Sequence, residues 1–283
     1  MKILILGASG QLGSSLYNYL KLKTELVHGT SRSGRFGLIQ FNPFSENWMF
    51  PEQNYDILIN CIGAIQEEPD NRFERVHLGI TEQIVKNRSR IGNPRIIQLS
   101  VLGADAFSPV DFLRSRAQAD EYLLSHPDTT VVRSSIVCTP GTMLARKIRT
   151  AGRISRLLFN RLYVPEGFVY HKVQPILIED LVKILWKICQ NRDSESVLNL
   201  TGPEILTYGD LLYIANKKIK VFPVKRSLSD RIAGVAGNLL PDIITLDQYQ
   251  MLFTDNVADP GTAASFLGRS PKSTLGFWQK ELR

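Results

Sequence analysis

The stretch that decides the fold is the first one, Met1-Lys2-Ile3-Leu4-Ile5-Leu6-Gly7-Ala8-Ser9-Gly10-Gln11-Leu12-Gly13. Its apolar run does not alternate with polar residues, which predicts a parallel strand buried on both faces. Three glycines follow at intervals of three and predict a tight turn from this strand into a helix. The free N–H groups and the positive dipole end of such a helix suit a pyrophosphate. The stretch therefore predicts dinucleotide binding, with an ordinary glycine-containing turn as the alternative.

Each glycine of this turn has its own expected role. Gly7 allows backbone angles that a side chain would forbid, Gly10 lets the backbone approach the pyrophosphate, and Gly13 lets the helix lie close to the strand. Six residues of the turn are expected to contact the cofactor: Gly7, Ser9, Gly10, Gln11, Leu12 and Gly13.

The composition is that of an ordinary globular protein. The 283 residues are 43% hydrophobic and 22% charged, which suits one or two domains. Cys61, Cys138 and Cys189 show no paired or metal-like spacing, so free thiols and no metal site are expected. No apolar run approaches the ~20 residues of a membrane span, and no signal peptide is recognisable. A cytoplasmic location is expected, with peripheral attachment to a membrane as the alternative.

Apolar runs and helical periodicity alternate along the first half of the chain. After the opening strand, strands are predicted at 24–29, 38–42, 55–60, 94–100 and 129–133. Helices are predicted at 11–23, 71–90 and 110–125. Strands that alternate with helices in this way predict an α/β fold with a doubly wound parallel sheet of the Rossmann type.

The regular alternation fades after about residue 140. A basic helix is predicted at 142–160, with further helices at 179–190, 207–217, 227–238 and 245–253 and short strands at 173–176 and 197–200. We therefore expect a dinucleotide-binding domain at 1–140, to which a strand and helix near 165–190 return. Residues 141–283 are expected to form mostly a smaller C-terminal α+β lobe that contacts a substrate or partner.

The residues after the second predicted strand indicate which dinucleotide is bound. Rossmann domains that bind NAD place an acidic residue here, about 20 positions after the glycines, against the ribose hydroxyls. Residues 29–35 contain no acid, but they contain Ser31, Arg32 and Arg35. A guanidinium suits a 2′-phosphate, so NADP(H) is favoured over NAD(H). Solvated loop arginines are the alternative.

Further cofactor contacts are expected where other strands end. Asn42 ends the third predicted strand and is expected near the adenine. A turn of small residues follows the fourth predicted strand, where the ribose and pyrophosphate of a dinucleotide pass. Its residues are Asn60, Cys61, Ile62, Gly63 and Ala64.

Together these motifs resemble the extended and atypical short-chain dehydrogenase/reductases over nearly the whole chain. The glycine stretch is also similar to that of dTDP-4-dehydrorhamnose reductases, and epimerase/dehydratase proteins share the pattern. Four later segments match the family: Gln98–Asp105, Val132–Val137, Gln174–Leu181 and Asn199–Glu204. Within the family, the segments Gln98–Asp105 and Phe112–Ala117 are most similar to the branch related to the nucleotide-binding accessory subunit of respiratory complex I.

The resemblance implies a catalytic core that this sequence alters. Active members use a serine followed by Tyr-x-x-x-Lys, in which the tyrosine transfers a proton while a hydride moves to or from the nicotinamide. Here Ser100 matches the serine, Phe112 stands in place of the tyrosine and Arg116 in place of the lysine. Phenylalanine has no proton to transfer. Arg116 is still expected to bond the cofactor's ribose, and Ser100 to hold a carbonyl oxygen.

Two functions follow from this alteration. The first is an NAD(P)(H)-binding protein with a structural, regulatory or redox-sensing role, as the complex I resemblance implies. The second is an active oxidoreductase or epimerase on a nucleotide-sugar or other anionic substrate. Such an enzyme needs a substitute acid, for which Tyr170 and His171 are the candidates.

The net charge of +7, from 34 basic and 27 acidic residues, suits an anionic partner, although a housekeeping protein can simply be basic. The densest basic stretch runs from Arg146 to Arg161 and contains no acid. Besides a solvated helix face, two interpretations fit: a clamp for an anionic small-molecule substrate, or an amphipathic helix on anionic lipid. No nucleic acid is expected, because no aromatic stacking pattern accompanies the arginines. No oligomeric state is predicted.

Overall fold

The computed structural model describes residues 1–68, 70–192, 195–239 and 245–282. Contacts divide the chain into two compact units. Unit 1 consists of Met1–Ser134, Ile178–Leu200 and Ser265–Leu267, and unit 2 of Ser135–Leu177, Thr201–Ala264 and Gly268–Arg283. The division lies at 134 and not at 140, and the long segment that returns to unit 1 is 178–200, whereas the sequence suggested 165–190.

Strands and helices alternate in unit 1 and are shorter and less regular in unit 2. The strands are β1 (Ile3–Leu6), β2 (Val27–Ser31), β3 (Ile39–Gln40), β4 (Ile57–Asn60), β5 (Arg95–Val101), β6 (Thr129–Ser134), β7 (Val137–Cys138), β8 (Arg161–Pro165), β9 (Lys172–Val173), β10 (Ile176–Leu177), β11 (Val197–Leu200), β12 (Leu206–Thr207) and β13 (Lys220–Val224). The helices are α1 (Gln11–Lys21), α2 (Ile80–Asn87), α3 (Asp111–Leu124), α4 (Met143–Leu157), α5 (Ile178–Gln190), α6 (Tyr208–Ala215), α7 (Arg226–Leu239), α8 (Leu246–Met251), α9 (Gly261–Leu267) and α10 (Leu275–Glu281).

Seven parallel strands form the central sheet of unit 1 in the order β3-β2-β1-β4-β5-β6-β11. The chain moves outward from β1 to β3 and returns to β4 on the other side of β1. The gap between β1 and β4 is therefore the switch point at which open α/β sheets bind ligands. Strand β1 is buried at every position, as expected for a parallel strand covered on both faces. The predicted α/β Rossmann-type doubly wound sheet is confirmed.

The spacing of small and apolar residues in helix α1 gives it one face that can be buried. It buries Gly13, Leu16 and Leu20, which recur at intervals of three and four and so share one helix face. The strand expected at 24–29 begins later, at β2. The N–H groups of residues 23 and 24 still bond the Leu20 carbonyl at the end of α1, and pairing with β1 starts only at Val27.

The helix expected at 71–90 consists of three pieces. A π-helical turn at Arg75–Gly79 precedes α2, and a 3-10 turn at Arg88–Ile91 follows it. A π-helical turn holds one residue more than an α-helical turn, and such turns occur frequently at functional sites. This one carries His77, which is buried.

Unit 2 has a separate core around Trp278, which is fully buried. The strand expected at 173–176 is split into β9 and β10 around Pro175, which has no N–H to donate. The parallel pair β8–β13 was not expected; each of its strands contains a proline, Pro165 and Pro223, which weakens the strand signal in the sequence. The helices α9 and α10 were not expected either. None of the helices in the described ranges combines the length and apolar content that a membrane crossing requires.

Candidate functional site

The turn between β1 and α1 is closely packed on one side and open on the other. Gly7 has φ of +79°, in the left-handed region that favours glycine. A Cβ atom on Gly13 would lie 2.1 Å from the Gly7 carbonyl oxygen, so only glycine allows α1 to come this close to the turn. A Cβ atom on Gly10 would meet only that same oxygen, at 3.4 Å, so the space beside Gly10 is open.

The amino end of α1 is suited to an anion. Its first turn contains no acidic residue, and none of the described side chains caps it. The N–H groups of Gln11, Leu12 and Gly13 belong to the first helical turn, where no intrahelical carbonyl can accept them. Such N–H groups, with the positive end of the helix dipole, favour a phosphate. The side chains of Ser9 and Gln11 are exposed beside them.

The turn that follows β4 lies against the glycine turn. The N–H of Cys61 donates to the carbonyl of Leu6 (2.9 Å), and a Cβ atom on Gly7 would lie 3.0 Å from the Ile62 side chain. The Asn60 side chain accepts the N–H of Ile62 (3.1 Å) and so closes the turn. The two turns that the sequence predicted to bind the cofactor are therefore adjacent at the switch point.

Arg116 is buried under this second turn. A Cβ atom on Gly63 would lie 1.8 Å from its Nη2, so the guanidinium can lie there only because residue 63 is glycine. Its Nη1 donates to the Leu99 carbonyl (3.2 Å), whereas its Nε has no hydrogen-bond partner among the described residues. Burial lowers the pKa of Arg116 to about 10, against the opposing charge of Asp120, so the side chain is charged at neutral pH. A buried donor without a partner suits an oxygen-rich ligand.

Phe112 lies one turn before Arg116 on α3 and is 4% exposed. Its ring packs edge-on against Phe73 and His77, with ring centroids 5.5 and 5.6 Å apart. The ring therefore forms part of an aromatic cluster inside unit 1.

Asp120 is the centre of a buried polar network. Its carboxylate accepts hydrogen bonds from Ser100 Oγ (2.9 Å), Arg133 Nε (2.9 Å) and Gln98 Nε2 (3.3 Å). Burial raises the pKa of Asp120, and these three hydrogen bonds oppose the rise. The Gln98 amide oxygen in turn accepts Asn60 Nδ2 (3.3 Å). The side chains of Asn60 and Ser100 thus both point into the network, and the Ser100 hydroxyl proton is donated to Asp120.

His77 contacts two elements of the candidate site. Its Nδ1 lies 2.8 Å from Ser115 Oγ, and its Nε2 lies 3.1 Å from the carbonyl oxygen of Ala64 at the end of the β4 turn. Burial, with the neighbouring Arg116 charge as a second cause, lowers the pKa of His77 from its usual 6.5 to about 2. The imidazole is therefore neutral at physiological pH and holds the Ala64 end of the turn.

The neutral state of His77 predicts a pH-dependent stability. The unfolded chain binds a proton at this histidine below about pH 6.5 and the folded chain does not, so stability falls as the pH falls through that value. Between pH 7.5 and pH 5 the free energy of unfolding should decrease by about 2 kcal/mol from this residue alone. Urea denaturation at both pH values should show the loss in the native protein and a smaller loss in His77→Gln. Equal losses would contradict the assignment.

The loop after β2 carries the residues expected to select the cofactor. Arg32 and Arg35 are exposed, and no described residue forms an ion pair with either. Ser31 is buried, and its hydroxyl accepts the N–H of Gly34 (3.0 Å). The Asn42 side chain accepts the N–H of Phe44 (3.1 Å) in a local turn. The two guanidinium groups are thus open to an anion, whereas Ser31 and Asn42 stabilise the loops.

The candidate substitute acids belong to unit 2. Tyr170 is 77% exposed, and His171 Nδ1 lies 3.2 Å from Asp255 Oδ1. Asp255 also accepts the N–H of Lys172 (2.9 Å), and this backbone hydrogen bond is the main reason that its pKa is lowered. His171 is thus engaged with a carboxylate of its own unit.

Four residues of the candidate site were not predicted from the sequence: His77, Gln98, Asp120 and Arg133. Two spacings signalled part of the network. Asp120 follows Arg116 by four residues and so shares its helix face, and Gln98 shares a strand face with Ser100. His77 had no such signal, because the π-helical turn shifts the helical phase around it.

The parallel sheet with a glycine turn at its switch point defines the class: a Rossmann fold of the kind found in nucleotide-sugar epimerases and reductases. The chain is similar to a nucleoside-diphosphate-sugar epimerase from Staphylococcus aureus, with a TM-score of 0.74, 17% identity and coverage of 99% of this chain and 100% of that one. It is also similar to a human epimerase family protein solved with NADPH, with a TM-score of 0.70, 17% identity and coverage of 100% and 99%. A dTDP-4-dehydrorhamnose reductase from Clostridium acetobutylicum has a TM-score of 0.63 at 18% identity and covers 89% of this chain and 97% of its own.

The sequence relatives are more specific. The chain is 25% identical to the 40 kDa subunit of mitochondrial NADH-ubiquinone oxidoreductase from Neurospora crassa, over 96% of this chain and 76% of that protein. It is 26% identical to subunit 9 of the 1 alpha subcomplex of mitochondrial NADH dehydrogenase from Arabidopsis thaliana, over 78% of this chain and 58% of that protein. No protein-family model matches the chain. The resemblance to extended short-chain dehydrogenase/reductases and to the complex I branch is confirmed.

Proposed function

We propose that unit 1 binds NADP(H) and that the protein lacks the proton donor of the usual ketone reduction. One observation carries the binding: an open glycine turn at a helix amino end adjoins a turn that covers the buried Arg116 guanidinium, whose Nε–H finds no acceptor in the part of the chain that the structure describes. The amides at the start of α1 would hold the pyrophosphate, and Arg116 would hold a ribose oxygen. When bound, the cofactor supplies hydride chemistry.

Three side chains support the absence of proton transfer. Phe112 has no ionisable group, and His77 is held neutral by burial. Ser100 donates its proton to Asp120. The loss of a general acid lowers the rate of a proton-coupled step by about 10²–10⁴-fold. The cofactor then serves structure, regulation or redox sensing, and the names of the two relatives suggest that it does so within a respiratory assembly. The cytoplasmic location expected from the sequence stays a prediction.

The competing function is an active oxidoreductase or epimerase on a nucleotide-sugar. The structural neighbours favour it, since one of them was solved with UDP-glucose and NAD. It requires an acid from elsewhere in the chain, for which Tyr170 is the exposed candidate.

Calorimetry and a turnover assay separate the two functions. We expect purified protein to bind NADPH and then to leave it unoxidised in the presence of UDP-glucose or dTDP-sugars. Oxidation of NADPH by such a substrate would establish the competing function. No heat with either nicotinamide dinucleotide, in folded protein, would refute both.

Replacement of Arg32 tests the choice of cofactor. Arg32→Ala should weaken NADPH binding about tenfold or more, because a charge-assisted hydrogen bond to the 2′-phosphate is lost. Binding of NADH, which has no 2′-phosphate, should change little. Lys86→Ala, an exposed residue on α2, serves as the control. Equal losses for both dinucleotides would remove the basis for preferring NADP(H).

A further inference from the structure

Four large apolar side chains are exposed where α4 ends in unit 2. They form the apolar tip, with the following exposed fractions: Ile154 45%, Leu157 81%, Leu158 47% and Phe159 88%. The first three are spaced by three and four residues and share one face of the helix. An apolar cluster of this kind on a surface marks a site of interaction.

Contacts within unit 2 hold the apolar tip in place. A Cβ atom on Gly152 would lie 2.9 Å from the Ala215 side chain, so α4 packs closely on α6. Asn216 Nδ2 donates to Ser155 Oγ (2.9 Å) and to Asn160 Oδ1 (3.0 Å). Positive φ angles at residues 159 and 160, 54° and 64°, end the helix and turn the chain into β8. The apolar tip is therefore exposed at an ordered corner of unit 2, where packing and hydrogen bonds fix the end of α4.

The surroundings of the tip are basic. Residues 143–165 and 211–229 contain no acid, and they carry six and five basic residues. Within them, Arg161 on β8 lies directly opposite Lys220 on β13. Like charges in such a cross-strand pair repel each other, and a bound anion removes that cost. Six cations near the tip are exposed and form no ion pair with any described residue: Arg153, Arg156, Arg161, Lys217, Lys218 and Lys220.

A basic cavity adjoins the tip. Its volume is about 470 Å³, and three of the six cations line it: Arg156, Lys217 and Lys218. Arg156 is fixed by a hydrogen bond from its Nη2 to the Ala215 carbonyl, and Asn160, Ile214, Ala215 and Asn216 form the rest of the lining. The three cations around this cavity suit a phosphate group at the level of the bilayer headgroups.

We propose that this corner of unit 2 docks on a bilayer that contains anionic phospholipid. The apolar tip inserts to the level of the headgroups, while the cations around it lie against the lipid phosphates and one phosphate enters the cavity. The six cations favour a membrane with negatively charged headgroups. Insertion into that membrane would remove the four apolar side chains of the tip from water. The proposal uses unit 2 alone and does not depend on cofactor binding.

Vesicle sedimentation of the full chain tests the proposal. The probes are vesicles of phosphatidylcholine alone and of phosphatidylcholine with phosphatidylglycerol in a two-to-one ratio. We expect sedimentation with the second and not with the first, and its loss as salt is raised. Equal binding to both, or binding to neither at low salt, would overturn the proposal.

Paired variants separate insertion from simple charge attraction. Leu157→Ser with Phe159→Ser should lower the vesicle partition constant at least about tenfold, because the apolar area for insertion is lost. Lys217→Glu with Lys218→Glu should lower it as much. The controls are Phe107→Ser, which removes a side chain 94% exposed in unit 1, and Lys86→Glu on α2. If only the charge variant loses binding, the protein is a general polyanion binder and membrane insertion is refuted.

Discussion

Replacing Gly13 by alanine is expected to lower the free energy of unfolding by about 3 kcal/mol and NADPH affinity by more than about tenfold. The added methyl group would lie 2.1 Å from the Gly7 carbonyl oxygen and 3.0 Å from Ala8 Cα, so backbone must move. Alanine is a better helix former than glycine by about 1 kcal/mol, and any net loss therefore reports the clash. Displacement of α1 also displaces the amides expected to bind the pyrophosphate. Urea denaturation and calorimetry measure the two effects.

Gly10→Ala is the matched control for this prediction. Its methyl group meets only the Gly7 oxygen, at an ordinary 3.4 Å, and the backbone angles of residue 10 are ones that alanine adopts. Stability should fall by no more than about 1 kcal/mol, the cost of alanine at a helix N-cap. Affinity for NADPH should nevertheless fall strongly, since the methyl group enters the space proposed for the pyrophosphate. A variant that binds NADPH normally would show that the cofactor does not pass Gly10.

Replacing Asp120 by alanine is expected to cost up to about 3–5 kcal/mol of stability, since it removes the fully buried partner of the ion pair with Arg133. Arg133 Nε, 2.9 Å from the carboxylate, loses its acceptor, as do the Ser100 hydroxyl and the Gln98 amide. Three donors without an acceptor in the interior of unit 1 each carry a desolvation cost. Urea denaturation measures the loss.

Two control variants show whether the loss of stability comes from the Asp120 carboxylate itself. Glu121→Ala removes the exposed neighbour on the same helix and should change stability by less than about 0.5 kcal/mol. Ser100→Ala removes only one donor and should cost about 1 kcal/mol. If Asp120→Ala costs no more than Ser100→Ala, the ion pair with Arg133 contributes nothing and the network has been misassigned.

Some of the site was predictable because it depends on short-range spacing. The glycines at 7, 10 and 13 follow a buried strand and precede a helix, and that order alone places them at a turn. Phe112 and Arg116 are separated by four residues, which places both on one side of α3. The spacing did not predict, however, that the fold buries Arg116 under Gly63 with Asp120 near it. That burial depends on contacts between β4, β5 and α3, which no local spacing contains.

By itself, the sequence determined the alternation of strands and helices, the glycine turn and the lack of an ionisable group at Phe112, because each depends on a repeating period or on the chemistry of one residue. Only the tertiary structure decided where the buried charges lie. Asp120, Arg133 and His77 come from distant parts of the chain, and the pKa values of Asp120 and His77 depend on desolvation, which exists only once the sheet and helices have packed. The exposure of the apolar tip also depends on packing, because the face of α4 that packs against α6 is buried whereas the tip residues stay exposed.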